Sequence, residues 1–202
     1  MMKKISIALA FVLIAGCGLA ARSQTQKKSG IKNVDFGNFS YRTSFDGAAN
    51  PKIIRLTDGK FEDGGSYQDG GTLYELFDKP IYGDLNGDKN DEAAVEIKMS
   101  AAPTLRSFEV QIFAFQNNAA KLLARLNADA VLKDYQKYYP KTDLHYAGAN
   151  PPKIQNRHLF VEALTEGSFA CPKYTAVFDY KLSNNKFVLS NKPIRKSFNC
   201  SQ

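Results

Sequence analysis

From Val34 onward the chain alternates apolar and polar residues with a period of two, a pattern that only a β-strand converts into one buried face. Phe108, Val110, Ile112 and Ala114 fall on one side of such a strand, with Glu109 and Gln111 on the other. Ala93, Val95, Ile97 and Met99 alternate with Ala94, Glu96 and Lys98. Tyr174, Ala176, Phe178, Tyr180 and Leu182 do the same against Thr175, Asp179 and Lys181, and Leu159, Val161 and Ala163 mark a shorter run. Turn signals at Asp58-Gly59, Asn117-Asn118 and Asn184-Asn185 separate the runs. The expectation is a mainly β fold, an antiparallel sheet or sandwich of consecutive hairpins with one face on a core.

One stretch breaks the pattern. Asn127 to Tyr139 sets Val131, Leu132, Tyr135, Tyr138 and Tyr139 at helical spacing, with Asp129 in the first turn and Pro140 as the stop. This predicts one short helix near 128–139. The loops at Asp63–Gly71 and Thr142–Pro152 are too short to separate domains, so residues 33–202 read as a single β-rich domain. The 24 Phe and Tyr residues exclude a wholly disordered chain, and 14 Gly, 8 Pro and 3 Cys exclude collagen and disulfide-dense miniproteins.

Residues 1–21 read as an export signal: Lys3 and Lys4 precede an uncharged apolar stretch, Ile5 to Ile14, too short for a stable membrane span. Ile14-Ala15-Gly16-Cys17 resembles a bacterial lipobox, which predicts lipidation of Cys17 and membrane attachment through that lipid. Gly18, Ala20, Ala21 and Ser23 also suit an ordinary signal peptidase, which would discard Cys17 and leave a periplasmic or secreted protein. Gly18, standing where an Asp would argue for inner-membrane retention, leans toward the outer membrane. Residues 22–32, rich in Lys, Gln and Ser, read as a flexible tether. Loss of Lys3 and Lys4 takes the net charge from +7 to about +5, an excess that favours anionic lipid or polymer. No dense basic block points to nucleic acid.

Two cysteines then remain, Cys171 and Cys200. If strands Tyr174–Leu182 and Phe187–Ile194 flank a turn at Ser183–Lys186, Cys171 lies opposite Phe198, and Cys200 comes within reach of it after a small bulge. A disulfide is expected of this pair in an oxidising compartment.

The richest chemistry lies in Asp84-Leu85-Asn86-Gly87-Asp88-Lys89-Asn90-Asp91-Glu92. Side-chain oxygens recur at alternate positions, Asp84, Asn86 and Asp88, with Glu92 four residues later. Ca²⁺ takes six or more hard oxygens, and a tight loop can aim alternate residues inward while a backbone carbonyl, that of Asn90, adds another. Gly87 permits the bend. Strands rather than helices flank the loop, and Val95 stands where an EF-hand needs its bidentate Glu, so this is no EF-hand.

The pattern resembles the calcium loop of FG-GAP/VCBS-type β repeats, which lies between two strands. That resemblance implies Asp84, Asn86, Asp88 and Glu92 as ligands with the Asn90 carbonyl between them, and Lys89 stands where those loops carry glycine. More broadly, the signal, the Tyr82–Val95 core, a strand like Phe108–Phe115 and a late cysteine resemble uncharacterised bacterial secreted proteins and lipoproteins of the LppP/LprE type. That group implies no established activity. The calcium it suggests is structural.

Catalytic patterns are thin. Gly-x-Ser-x-Gly, His-Glu-x-x-His and phosphate-cradling Gly-rich loops do not occur, and the paired acids Glu62/Asp63 and Asp91/Glu92 are strand neighbours that point to opposite faces. His145 and His158 read as isolated loop and edge histidines. The expectation is a non-enzymatic, exported and membrane-tethered envelope protein that binds a protein or cell-wall partner or serves structurally. The alternative is a hydrolase whose acids converge only in the fold. A pocket with two carboxylates, or a His–acid pair, free of other structural work would favour the latter.

Overall fold

The computed structural model describes residues 30–45, 51–101, 105–142, 144–145, 150–168 and 171–198. Strands β1 (Ser40–Thr43) and β2 (Lys52–Arg55) form an antiparallel ribbon with Ser40 opposite Arg55. The first large sheet contains β3 (Lys60–Asp63), β4 (Thr72–Leu76), β5 (Ile81–Gly83), β6 (Glu92–Ala101), β7 (Leu105–Gln116) and β8 (Ala119–Asn127), in the order β3-β4-β6-β7-β8. β5 continues the lane of β4 along β6, Tyr82 facing Ala93 as Tyr74 faces Met99. After helix α1 (Ala128–Gln136) come β9 (Leu144–His145), β10 (Lys153–Gln155), β11 (His158–Gly167), β12 (Pro172–Ser183), β13 (Lys186–Leu189) and β14 (Ile194–Ser197). They form a second sheet, β10-β11-β12-β13, with β9 beside β11 and β14 beside β12. All these pairings are antiparallel, and the fold is mainly β with a single α-helix among the described residues.

The alternation explains the layering. Phe108, Val110 and Ile112 of β7 meet Leu159, Val161 and Ala163 of β11 and Ala176, Phe178 and Tyr180 of β12, so the two sheets pack face to face. The other face of the first sheet is buried as well. Ala93, Val95, Ile97 and Met99 of β6 pack under Ile31, Phe36, Tyr41, Ile54 and Leu56 from the N-terminal segment. That ribbon makes a third layer, which the expectation of one buried face did not contain. Glu109 and Gln111, on the face opposite Val110, are therefore buried.

The helix starts where its cap dictates: the Asn127 side chain accepts the N–H of Ala130 at 3.0 Å. Ala128, Val131 and Tyr135 are its buried stripe. It ends at Gln136, before the expected Tyr139: the N–H of Tyr138 turns back to the Tyr135 carbonyl at 3.0 Å in a tighter closure, and Pro140, which has no N–H to continue the ladder, follows. The turn after β12 matches its sequence: Ser183 pairs with Lys186, and Asn184 and Asn185 both adopt positive φ, as a type I′ turn requires. The returning strand expected over Phe187–Ile194 is split instead into β13 and β14. Pro193, which lacks an N–H for the ladder, lies in the gap. Across that gap the register against β12 slips by two residues, from Tyr180 opposite Leu189 to Val177 opposite Ile194.

Residues 1–29, with the expected signal and Cys17, lie outside the described residues, as does Cys200. Ile31, at the tail of the expected 22–32 tether, is buried because Ile31–Asn33 forms a single 3-10 turn against β6 and β7. Cys171 is a disulfide cysteine.

Candidate functional site

The loop Asp84–Asp91 closes the β5–β6 hairpin, whose last pair is Gly83 opposite Glu92. Glu92, the first residue of β6, is 1% exposed, and the loop folds over its carboxylate. One oxygen accepts the N–H groups of Leu85 at 2.8 Å and Asn86 at 3.3 Å, and the other accepts the Asn86 amide at 2.8 Å. Burial raises the Glu92 pKa, the charges of Asp88 and Asp84 push the same way, and the two backbone N–H groups oppose them.

The remaining oxygens also serve the loop. Asp84 accepts the N–H of Gly87 at 2.5 Å and of Lys89 at 3.2 Å. Asn86 Oδ1 accepts the Asp88 N–H at 2.8 Å, while Asp88 accepts the Asn90 N–H at 2.7 Å and the Asn86 amide at 3.2 Å. The N–H of Asn90 is the largest influence holding the Asp88 pKa below its usual value. Backbone geometry follows from this wrapping: Gly87 has φ +85° and Lys89 φ +68°. A Cβ on Gly87 would stand 1.9 Å from Nη2 of Arg157, which lies across the loop from the β10–β11 turn.

All four side chains expected as ligands thus belong to one hydrogen-bonded loop, and their hard oxygens have the chemistry that Ca²⁺ requires. They are turned onto the loop's own N–H groups, and among the described residues no three Asp, Glu, His or Cys side chains converge as a metal cage. Asn90 contributes an N–H bond and lines the neighbouring cleft.

That cleft, about 570 Å³, opens between the loop, the end of β7 and the turn at Gly30–Asn33. Asp88, Asp91 and Glu92 border it, and Lys32 faces them with its Nζ 2.5 Å from Asp91 and 5.8 Å from the Tyr82 ring centroid. Each of these carboxylates already holds a loop amide or Lys32. Lys32 and Gln116 gave no sequence signal for this site, and Lys32 falls in the stretch expected to be a tether.

His158 does not stand alone. Its Nδ1 contacts Asp179, whose second oxygen accepts the Asn191 amide at 3.1 Å. The ring stacks on Phe160, and the pair lies on the second sheet, away from the cleft. No helix among the described residues is long and apolar enough to cross a membrane. A scan against protein-family models gives no match, and searches of curated proteins and of solved structures likewise return none.

Proposed function

We propose that the chain is an exported, membrane-tethered, non-enzymatic envelope protein, a β-rich binding or structural module whose Asp84–Glu92 loop is stabilised by calcium. One observation carries the calcium part: a loop of hard oxygens organised on a buried carboxylate at the rim of a cleft. Asp84, Asn86, Asp88 and Glu92, with the Asn90 carbonyl, would hold the ion, exchanging bonds to loop N–H groups for bonds to the metal. The affinity expected of such a loop is in the millimolar class of extracellular modules. The ion would fix the loop and the cleft rim. The work that the carboxylates already do for the loop and for Lys32 argues for a module over a hydrolase.

The tether rests on the leader and lipobox pattern of residues 1–21, and the Cys171–Cys200 disulfide belongs to the same exported setting. The β12–β14 ladder supports that reading as far as it is described: Tyr174 pairs with Ser197, and the N–H of Phe198 bonds the Lys173 carbonyl at 3.0 Å, two residues from Cys171.

Two measurements test the reading. Thermal unfolding in Ca²⁺ and then in chelator should show a stabilisation that disappears in the Asp84→Ala/Asp88→Ala variant. At a hundred times the dissociation constant the gain is about 2.7 kcal/mol. No shift at several times the expected dissociation constant makes the loop a metal-free turn. Fractionation of cells carrying Cys17→Ser should move the chain out of the membrane fraction, and an unchanged distribution removes the lipid anchor.

A further inference from the structure

The chain is electrically lopsided. Between Asp58 and Glu96 there are eleven acidic residues and three lysines, whereas between Asn150 and Phe198 there are eight lysines and arginines and three acids. The basic block is the second sheet; the acidic block lies in the strands of the first sheet and the connections between them, across the core.

Strand alternation sorts the second sheet's side chains. Leu159 and Val161 of β11 and Phe178 and Tyr180 of β12 point into the core, so their neighbours point outward. Register then places Lys153, Lys173, Lys181, Lys186 and Lys196 on the outward face, and all five are exposed. None of them has an ion-pair partner among the described residues. The two carboxylates on this face are already engaged, Asp179 by His158 and Asn191, and Glu162 by the Asn150 amide at 2.6 Å.

Large apolar side chains stand among the lysines. Val188 is 53% exposed, Ile194 64% and Phe198 40%. Val188 lies opposite Lys181, and Ile194 is on the same strand face as Lys196. Exposed hydrophobic residues grouped on one basic face mark an interaction surface.

We propose that the outward face of the second sheet docks onto an anionic lipid bilayer. This rests on the membrane-associated reading above and deepens it by naming the surface and its partner. Lysine heads meet the phosphates while Val188, Ile194 and Phe198 enter the headgroup boundary. A soluble polyanion would leave those three apolar side chains unused, which is why the bilayer is the partner. The acidic first sheet, repelled by the same surface, turns the cleft beside Asp88 and Asp91 away from the membrane.

The test is sedimentation of the full-length chain with vesicles, using Cys17→Ser in every arm so that no lipid anchor contributes. Vesicles of phosphatidylglycerol mixed with phosphatidylcholine are compared with phosphatidylcholine alone, at low and high salt. We expect selectivity for phosphatidylglycerol that salt weakens, and a loss of roughly twentyfold in Lys181→Gln/Lys196→Gln. Lys60→Gln/Lys121→Gln, which removes the same charge from exposed positions of the first sheet, should retain most of the binding. Ile194→Ser, independent of charge, should weaken binding at both salts. Equal binding to the two vesicle types, or equal loss in the two lysine variants, overturns the proposal. Capture by dextran sulfate without vesicle binding also overturns it, assigning the face to a soluble polymer. A failed anchor appears instead as unchanged fractionation of Cys17→Ser in cells.

Discussion

Glu109 Oε2 accepts the backbone N–H of Ser44 at 2.8 Å, joining the middle of β7 to a residue 65 positions earlier in the chain. The Gln111 amide bridges Glu109 at 2.5 Å and the Arg42 carbonyl at 3.0 Å, and Asn127 Nδ2 donates to the Ser44 carbonyl at 3.1 Å. Polar residues that the alternation assigns to an open face thus become the glue between the first sheet and the N-terminal layer. Burial raises the Glu109 pKa, and the Ser44 N–H and Gln111 amide oppose that rise.

Removing that carboxylate leaves the part-buried Ser44 N–H without this acceptor. Glu109→Ala should therefore destabilise the protein by about 2–3 kcal/mol, read as a shift in the urea midpoint, whereas Glu109→Gln, which keeps an acceptor, should cost less than half as much. Equal losses in the two variants would mean that packing, rather than the bond to Ser44, holds the layer.

The Asp84–Glu92 loop makes opposite predictions at two positions. Gly87 has φ +85°, so Gly87→Ala should cost about 1 kcal/mol and displace the Arg157 guanidinium. Lys89, at φ +68°, sits in the same left-handed region with a side chain it does not need there, and Lys89→Gly should stabilise by up to about 1 kcal/mol. Thermal midpoints moving in the same direction would contradict the backbone geometry.

Sequence periodicity carried the strands well because each alternating run has one apolar face: Phe108–Ala114 and Tyr174–Leu182 lie in β7 and β12 as their patterns require. Local turn chemistry was equally legible at Asn184-Asn185 and at the Asn127 cap. Period two cannot tell an open face from one covered by a distant segment, so the burial of Glu109 and Gln111 under β1 was not legible. Nor was the cleft, since Lys32 meets Asp91 only through tertiary packing. The loop's donor set was readable from spacing alone, but its hydrogen bonding depended on Glu92 being buried, which adjacent residues do not encode.

The proposed Cys171–Cys200 bridge would tie off a loop of roughly 30 residues, worth about 3–4 kcal/mol on chain entropy. Reduction, or Cys171→Ser, should lower the unfolding midpoint accordingly and loosen the mouth of the β12–β14 ladder at Phe198 and Lys173, where hydrogen exchange would rise. Unchanged stability on reduction removes the bridge from the account of the fold.

Glu96 predicts a pH dependence of the opposite sense to ordinary acid unfolding. It is 6% exposed on β6, opposite Val110, with its backbone carbonyl bonded to the Phe77 N–H at 3.0 Å. Burial pushes its carboxyl up to about 7, the Asp78 charge adds to this, and Lys98 opposes it. Glu75 faces Lys98 across the β4–β6 pair, so the lysine is shared between acids. A carboxyl whose folded pKa lies above its unfolded value binds more protons when folded, so its contribution is full below about pH 4.5 and is lost as pH rises toward about 7. Unfolding free energy should accordingly fall by of the order of 2–3 kcal/mol across that window on account of this one group. Glu92 and Glu109 slope the same way, and Asp88 slopes against them, so the difference between the wild type and Glu96→Gln isolates the effect. Urea titrations at a series of pH values should show Glu96→Gln flattening the curve and gaining most above neutrality. Parallel curves for the two proteins would mean that Glu96 ionises as freely in the fold as in the unfolded chain.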